Sequence, residues 1–147
     1  MNQFSIDLSK WVNKTKSNID TLVRESVQEL GKRIVYKTPV GDPDYWISKP
    51  PRGYVGGRAR GNWQYGFSRP PSGSLPDIDS SGGVSTSRIT EGVKSSPAAG
   101  MHYIANNLPY AERLENGWSH RQAPHGMVRL AVVEFQDIVK SGLGKLR

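Results

Sequence analysis

The sequence predicts an α+β domain in which a long N-terminal helix and a C-terminal helix pack on one face of a small antiparallel sheet, with long loop arms. Three observations predict this fold. Apolar residues recur at steps of three and four towards both ends of the chain, short β-branched and aromatic stretches lie between them, and segments rich in glycine and proline separate the elements. Because 147 residues is the size of one ordinary domain, we expect a single domain over residues 1–147.

The first helix is predicted from about Asp7 to Lys37. Apolar residues repeat there at three- and four-residue steps, which places one apolar stripe along a helix. The stripe consists of Ile19, Leu22, Val23, Val27, Leu30 and Ile34. The helix is expected to end at Thr38, since the residue before a proline is pushed out of the helical region.

Residues 41–61, GDPDYWISKPPRGYVGGRARG, are predicted to form an inserted arm. Prolines and glycines occur throughout this segment, and they exclude a regular helix. Its aromatic residues Tyr45, Trp46 and Tyr54 indicate an ordered segment, because disordered segments are poor in aromatics. We therefore expect the arm to dock on another surface.

Three strands are predicted after the arm. NWQYGF alternates Trp63, Tyr65 and Phe67, which is typical of a strand with one buried face. VSTSRITEGVK and MHYIANNL are rich in β-branched and aromatic residues, and the turn formers SSPAAG separate them. These strands are expected to pair antiparallel.

The end of the chain is predicted to contain a short helix, a loop and a closing helix. YAERLEN follows Pro109 and precedes Gly117, residues that suit the first turn and the left-handed end of a short helix. WSHRQAPHG is the loop, and the closing helix is predicted from Pro124 to just before Gly142. Its apolar face consists of Val128, Ala131, Val132, Phe135, Ile138 and Val139. Phe135 is expected to be buried at the centre of that face.

The strongest candidates for metal ligands are His120 and His125, with Glu112 and Glu115 upstream. Imidazole and carboxylate groups both bind zinc, so a metal-dependent hydrolase is one alternative. The two histidines are five residues apart across a loop that contains proline, whereas a zinc-protease helix places them four apart on one face. We therefore expect no metal, no cofactor and only structural roles for these histidines.

Composition argues against the common kinds of nucleophilic catalysis. The chain has no cysteine, which excludes a disulfide, a thiolate nucleophile and a cysteine-ligated metal site. Serines are frequent, but none lies in a G-x-S-x-G elbow. We expect a protein that is not an enzyme.

The formal net charge of +7 favours polyanions or acidic protein surfaces as partners. The segment GGRARGNW carries Arg58 and Arg60, and Lys49 and Arg52 lie just upstream, interleaved with aromatic residues. Arginines beside aromatic rings bind phosphates and stack on bases. The alternative is that Arg58 and Arg60 form salt bridges within their own domain or to a neighbour. No RRM, KH or zinc-finger pattern is present, so sequence-specific readout is not expected.

No export or membrane segment is predicted. The opening residues MNQFSIDLSKWVNK contain no continuous apolar region, and no apolar stretch approaches the ~20 residues that span a bilayer. We expect a cytosolic protein without a membrane partner.

In this order, the motifs resemble the tail-completion or neck proteins of long-tailed bacteriophages, the family that joins a finished tail to a DNA-filled head. Four segments carry the resemblance: TPV after the long helix, Gly-Arg-x-Arg at Gly57 to Arg60, YAxxxExG as YAERLENG, and AP-x-GM-x-R as APHGMVR. The family often has an aspartate directly after TPV and a compact TG-R-L-R loop. Here Gly41 follows TPV, and GDPDYWISKPPRGYVG is inserted.

The resemblance implies a structural protein of the virion neck, assembled in the host cytoplasm. It implies a ring, most often six-fold, between the head connector or stopper and the tail tube, and no catalysis. In such a ring we expect Trp46 and Tyr54 to dock on a neighbouring subunit, because aromatics gain most from dry interface centres. We expect four cations to face the DNA channel, where non-specific contacts with phosphates suffice: Lys49, Arg52, Arg58 and Arg60. The alternative function is a basic nucleic-acid-binding module that uses the Arg58/Arg60 loop.

Overall fold

The fold is α+β, with helices packed on a small antiparallel sheet as predicted. The computed structural model describes residues 3–146, with side chains of the first helix described from Leu8 onward. The helices are α1 (Gln3–Lys37), α2 (Arg58–Gly61), α3 (Gly83–Lys94), α4 (Ala111–Glu115), α5 (Val128–Val133) and α6 (Phe135–Lys145). The strands are β1 (Trp63–Phe67) and β2 (His102–Asn106).

The sheet consists of two strands among the described residues, not the three that were predicted. β1 and β2 pair antiparallel, with Trp63 opposite Asn106 and Phe67 opposite His102. The first and third of the predicted strands are therefore confirmed.

The second predicted strand, VSTSRITEGVK, is wrong: this segment is helix α3. Its buried residues Ser85, Ile89 and Val93 recur every four residues, so they share one face of a helix. The Asp79 carboxylate accepts hydrogen bonds from the backbone N–H groups of Gly82, at 3.0 Å, and Ser85, at 2.9 Å, at the start of the helix. The strand prediction relied on β-branched composition, which packing and capping override here.

Helix α1 begins at Gln3, four residues before the predicted start, and ends at Lys37 as predicted. Its C-terminal part enters the core, where Ile34 and Val35 are buried, whereas Ile19 of the predicted stripe is 55% exposed. Although α1 is 35 residues long, none of the described helices combines the length and the apolar character needed to cross a membrane.

Thr38 of the TPV segment connects the end of α1 to the sheet. Its Oγ1 donates a hydrogen bond to the carbonyl of Ile34 at 2.7 Å and accepts one from Nε1 of Trp63 at 2.7 Å. Both Thr38 and Trp63 are buried. These bonds satisfy the polar groups that the core would otherwise leave without partners.

The hydrophobic core lies between α1, α3, β1 and the start of the closing helix. Its buried members are Ile34, Val35, Trp63, Ile89, Val93, Ala123, Met127 and Ala131. These residues come from the C-terminal part of α1, from β1, from α3, from the loop before α5 and from α5.

The closing helix has a different register from the one predicted, and it is split at Glu134 into α5 and α6. The carboxylate of Glu134 forms ion pairs with the guanidinium of Arg33 at 2.9 Å and the ammonium of Lys37 at 2.8 Å. Position 134 therefore faces α1. Successive helical residues point about 100° apart. Phe135 therefore turns outward and is 41% exposed, which contradicts its predicted place at the centre of the buried face.

Candidate functional site

The arm at residues 41–61 folds back onto the loop that follows α4, and the two segments enclose a groove of about 890 Å³. Five aromatic side chains line it: Tyr45, Trp46, Tyr54, Tyr110 and Trp118. Its volume falls within the range of roughly 300–1,000 Å³ that is typical of ligand sites. We call it the aromatic groove.

Aromatic and cation–π contacts order the walls of the aromatic groove. The rings of Trp46 and Tyr54 meet edge to face, with centroids 4.9 Å apart. The guanidinium of Arg121 lies 4.4 Å from the ring centroid of Tyr45, which joins the arm to the opposite wall.

Three local features hold the arm in place. The side chain of Gln122 pairs with the backbone of Val40, accepting from its N–H and donating to its carbonyl, both at 2.8 Å. Asp42 caps a short 3₁₀ turn by accepting the N–H of Asp44 at 2.9 Å. Gly41 lies under the hydroxyl of Tyr54, and any side chain at this position would collide with that ring.

The aromatic groove combines exposed aliphatic surface with cations. Ile47 is fully exposed, and Val55 is 60% exposed. Arg52, Arg58 and Arg121 line the groove, and none of them has a carboxylate partner in the part of the chain that the structure describes. Exposed apolar surface beside unpaired arginines is typical of a surface that binds another molecule.

Arg60, one of the four residues predicted to face the channel, has a structural role within the domain. Its guanidinium donates to the carbonyl of Ser80 at 2.7 Å, to that of Thr38 at 2.8 Å, and to that of Tyr36 at 3.2 Å. Burial acts to lower the pKa of this group. The guanidinium therefore holds the end of α1 to the loop before α3, and most of its donors are engaged within the domain. The predicted alternative of a partner within its own domain applies to Arg60, through carbonyls instead of carboxylates.

The other predicted site residues lie at the surface. Trp46 and Tyr54 both line the aromatic groove, where Trp46 is 41% exposed and Tyr54 is half-buried. Lys49, Arg52 and Arg58 are exposed. Contact of the aromatics with a neighbouring subunit and of the three cations with DNA stay predictions.

Glu115 joins the short helix to the start of the closing helix. Its carboxylate accepts the backbone N–H groups of Met127 at 2.8 Å, Val128 at 2.9 Å and Arg129 at 2.9 Å. These are the N–H groups that the first turn of α5 leaves without helical partners. We call this arrangement the Glu115 cap, and it joins YAERLENG to APHGMVR.

The Glu115 cap has the backbone geometry and the electrostatics of a fixed structural unit. Gly117 and Gly126 both have φ of +85°, a conformation that favours glycine. Burial acts to raise the pKa of Glu115, but its hydrogen bonds from Met127, Arg129 and Val128 outweigh burial and hold that pKa below the usual range.

The predicted histidine candidates do not form a metal site. His120 and His125 are both exposed, and Glu115 is occupied by the Glu115 cap. Within the described residues, no group of three or more His, Cys, Asp or Glu side chains is placed to hold a metal ion.

Sequence reasoning missed the wall of the aromatic groove that lies after α4. Trp118, Arg121 and Gln122 were assigned to a connecting loop without a role. The available signal for a binding role was a tryptophan followed by an arginine in a loop, because loops on a rigid scaffold often carry binding residues. The pairing of Gln122 with Val40 across 82 positions had no sequence signal.

Comparisons of the chain with protein-family models, with curated proteins and with solved structures found no match. The aromatic groove, the Glu115 cap and the exposed cations are therefore the observations that bear on function.

Proposed function

We propose that the chain is a structural protein of the neck of a long-tailed bacteriophage, where it joins or terminates the tail at the head–tail interface. It acts as a ring, most simply of six copies, between the head connector or stopper and the tail tube. It has no catalytic activity and no cofactor. Its contact with genomic DNA in the channel is non-specific, and it reaches the virion after assembly in the host cytoplasm.

The observation that carries this proposal is the Glu115 cap. Two of the four segments on which the resemblance rests, YAERLENG and APHGMVR, are bonded to each other through Glu115. A third, TPV, fastens α1 to β1 through Thr38. Three of the segments that carry the resemblance are therefore tied into the folded domain by hydrogen bonds. Matches at such structural positions support a shared fold more strongly than scattered short matches do.

The exposed apolar surface also supports a role in assembly. Eighteen large hydrophobic residues among those described are exposed, including Trp11, Trp46, Trp118 and Ile47. Clusters of exposed apolar residues, such as Trp46, Ile47 and Trp118 in the aromatic groove, mark interaction sites, and neighbouring subunits are the partners that a ring provides.

Deletion of the coding sequence from the phage genome tests the proposed function. We expect DNA-filled heads and separate tails in electron micrographs of the lysate, with joined particles restored by the wild-type chain supplied from a plasmid. Joined, infectious particles from the deletion strain would refute a role at the head–tail interface.

A basic nucleic-acid-binding module remains a second candidate, because aromatic rings and unpaired arginines meet in the aromatic groove. Arg58→Glu tests it, with Lys94→Glu on α3 as the charge-matched control, since Lys94 is also exposed. For a nucleic-acid module, Arg58→Glu should weaken binding of single-stranded DNA about tenfold more than Lys94→Glu does. Equal losses for the two variants would mean only a general effect of charge.

A further inference from the structure

Aliphatic side chains add to the apolar surface that the rings give the aromatic groove. Ile47 is fully exposed there, Val55 is 60% exposed and Ile78 is 56% exposed. The rings beside them are open to solvent as well, since Trp118 is 65% exposed and Tyr45 54%. Exposed apolar residues gathered in one groove mark a binding surface. An occupant of the groove should therefore carry apolar side chains.

The aromatic groove is positively charged. Arg52, Arg58 and Arg121 line it together with His120, whereas Asp42 is the one acid among its described lining residues. The carboxylate of Asp42 accepts the N–H of Asp44, so this acid already has a partner within the arm. Charges across a protein interface are usually complementary. An acidic occupant therefore suits this surface.

Arg58 and Tyr110 offer hydrogen-bond donors to a carboxylate. Burial raises the pKa of the Tyr110 phenol, and the positive charge of Arg58 acts in the opposite direction, so the guanidinium lies near the hydroxyl. In the described part of the chain, neither of these two polar groups has a hydrogen-bond partner. A guanidinium and a phenol both donate to carboxylate oxygens.

The ring faces favour a peptide over a nucleic acid as the occupant. Bases bind by stacking on open ring faces. On Tyr45, the guanidinium of Arg121 covers one face at 4.4 Å from the ring centroid, and on Trp118 that of Arg113 does so at 4.8 Å. At most one face of each of these rings is left for a base. The exposed aliphatic side chains suit the apolar side chains of a peptide.

The size of the aromatic groove favours an extended segment over a helix. A helix about 11 Å wide that filled its 890 Å³ would be only about 9 Å long, less than two turns. An extended chain occupies a cross-section of roughly 4.8 Å by 10 Å, so the same volume holds about 19 Å of it, or about six residues. Six extended residues present about three side chains to the groove.

A second copy of this chain does not supply a suitable acidic segment. Outside the α-helices, the acids of the described residues are Asp42, Asp44, Asp77, Asp79 and Glu134. The first two belong to the arm that builds the groove. The other three are engaged inside the domain, where Asp77 pairs with Arg88, Asp79 bonds to the start of α3, and Glu134 pairs with two cations of α1. The occupant is therefore a different protein.

We propose that the aromatic groove binds an extended, acidic peptide segment of a different protein. Its apolar side chains contact the exposed aliphatic and aromatic residues of the groove, and one of its carboxylates pairs with Arg58. The inference goes beyond the proposed function, because one copy of the chain is sufficient for this binding and no ring is needed.

Fluorescence anisotropy with synthetic peptides tests the inference. The probe is a fluorescein-labelled peptide of about eight residues, composed of glutamate, leucine and proline, in which proline disfavours a helix. In one comparison peptide lysine replaces each glutamate, and in a second serine replaces each leucine. We expect the parent chain to bind the probe at least about tenfold more tightly than either comparison peptide.

Two variants locate the binding, each with a matched control. Trp118→Ala and Arg58→Glu should each weaken binding of the probe by about tenfold. Trp11→Ala is the control for the first, because Trp11 is 64% exposed and lies on α1, and Lys94→Glu is the control for the second. Both controls should bind the probe as the parent chain does. All four side chains are exposed, and circular dichroism checks that each variant is folded.

Several outcomes would overturn the inference. Equal affinity for the three peptides, no binding of the probe at the highest attainable concentration, or equal losses in a variant and its control would show that the groove does not select an acidic apolar segment. Tighter binding of fluorescein-labelled oligothymidine would show a nucleic-acid site. Self-association that Trp118→Ala abolishes would place a second copy in the groove. None of these results would change the outcome of the gene deletion, which tests the proposed function separately.

Discussion

The Glu115 cap and the N-terminal half of α1 differ in how far the chain itself supplies partners for their side chains and backbone groups. At the Glu115 cap, one carboxylate accepts three backbone N–H groups, and two glycines adopt the conformation that this arrangement requires. In the N-terminal half of α1, Leu8, Trp11 and Val12 are each about half exposed or more. The polar groups at the start of α5 are therefore satisfied within the chain, whereas these apolar side chains of α1 are not covered by it.

In the proposed ring, neighbouring copies would cover the exposed apolar residues, whereas the polar groups of the Glu115 cap need no partner from outside the chain. An unsatisfied buried polar group destabilises the folded monomer, so it needs a hydrogen-bond partner within the chain. Exposed apolar area costs little in the monomer and becomes favourable when a second surface covers it. Substitutions in the two regions should therefore affect different measurements.

The largest effect is expected in the core, at Ile89. This side chain of α3 is 1% exposed and packs against α1. Ile89→Ala should lower the free energy of unfolding by about 2–5 kcal/mol, through lost burial and a cavity. Urea denaturation measures it. Val84→Ala on the same helix is the control, because Val84 is 57% exposed and should change stability by no more than about 0.5 kcal/mol. Equal effects would mean that α3 has another register.

A smaller loss is expected at the Glu115 cap. Glu115→Gln removes the charge that three N–H groups share, and it should lower the free energy of unfolding by about 1–3 kcal/mol. Glu112→Gln, on the exposed side of the same helix, should change stability little. If Glu115→Gln were as stable as the parent chain, the cap would contribute nothing, and the link between α4 and α5 would need another explanation.

The contribution of Glu115 should depend on pH. Because its pKa is lowered in the folded chain, its stabilisation is fully present above the pKa of the unfolded chain, about 4.3. That stabilisation is lost as the pH falls through the lowered pKa. The difference in stability between the parent chain and Glu115→Gln should therefore be constant from about pH 6 to 8 and shrink below about pH 4. A difference that grew on acidification would contradict the cap.

The smallest effect on monomer stability is expected at Phe135, at the start of α6. Since Phe135 is 41% exposed, Phe135→Ala should cost about 1 kcal/mol, compared with about 3–5 kcal/mol for a fully buried phenylalanine. Denaturation of the dilute protein measures it. A loss of 3 kcal/mol or more would restore the buried register that the sequence pattern predicts.

The sequence predicted the features that depend on local chemistry. The end of α1 at Thr38 follows from Pro39, and the strand at Trp63–Phe67 follows from alternation. In each case, residues close in sequence determine the structure.

Other features depend on contacts that no local pattern contains. Helix α3 was predicted as a strand because its β-branched residues are compatible with either structure. Packing of α3 on α1, with Ile89 and Val93 buried, favours the helix. Arg60 was assigned to the DNA channel from its arginine-rich, aromatic surroundings. Its bonds to Tyr36, Thr38 and Ser80 could not be predicted, because those residues are 20 or more positions away in the sequence. Phe135 was assigned to the core because periodicity records apolar character, and apolar character alone does not distinguish a buried side chain from an exposed one.

Sedimentation velocity over a concentration series tests most directly whether the chain associates with itself, as the proposed ring requires. The parent chain is compared with Trp11→Glu in the N-terminal half of α1 and with Val84→Glu, a control at an exposed apolar site on α3. We predict that the sedimentation coefficients of the parent chain and Val84→Glu rise with concentration, while Trp11→Glu remains a folded monomer. A parent chain that stays monomeric throughout, or a Trp11→Glu variant that associates as strongly as the parent, would contradict the account.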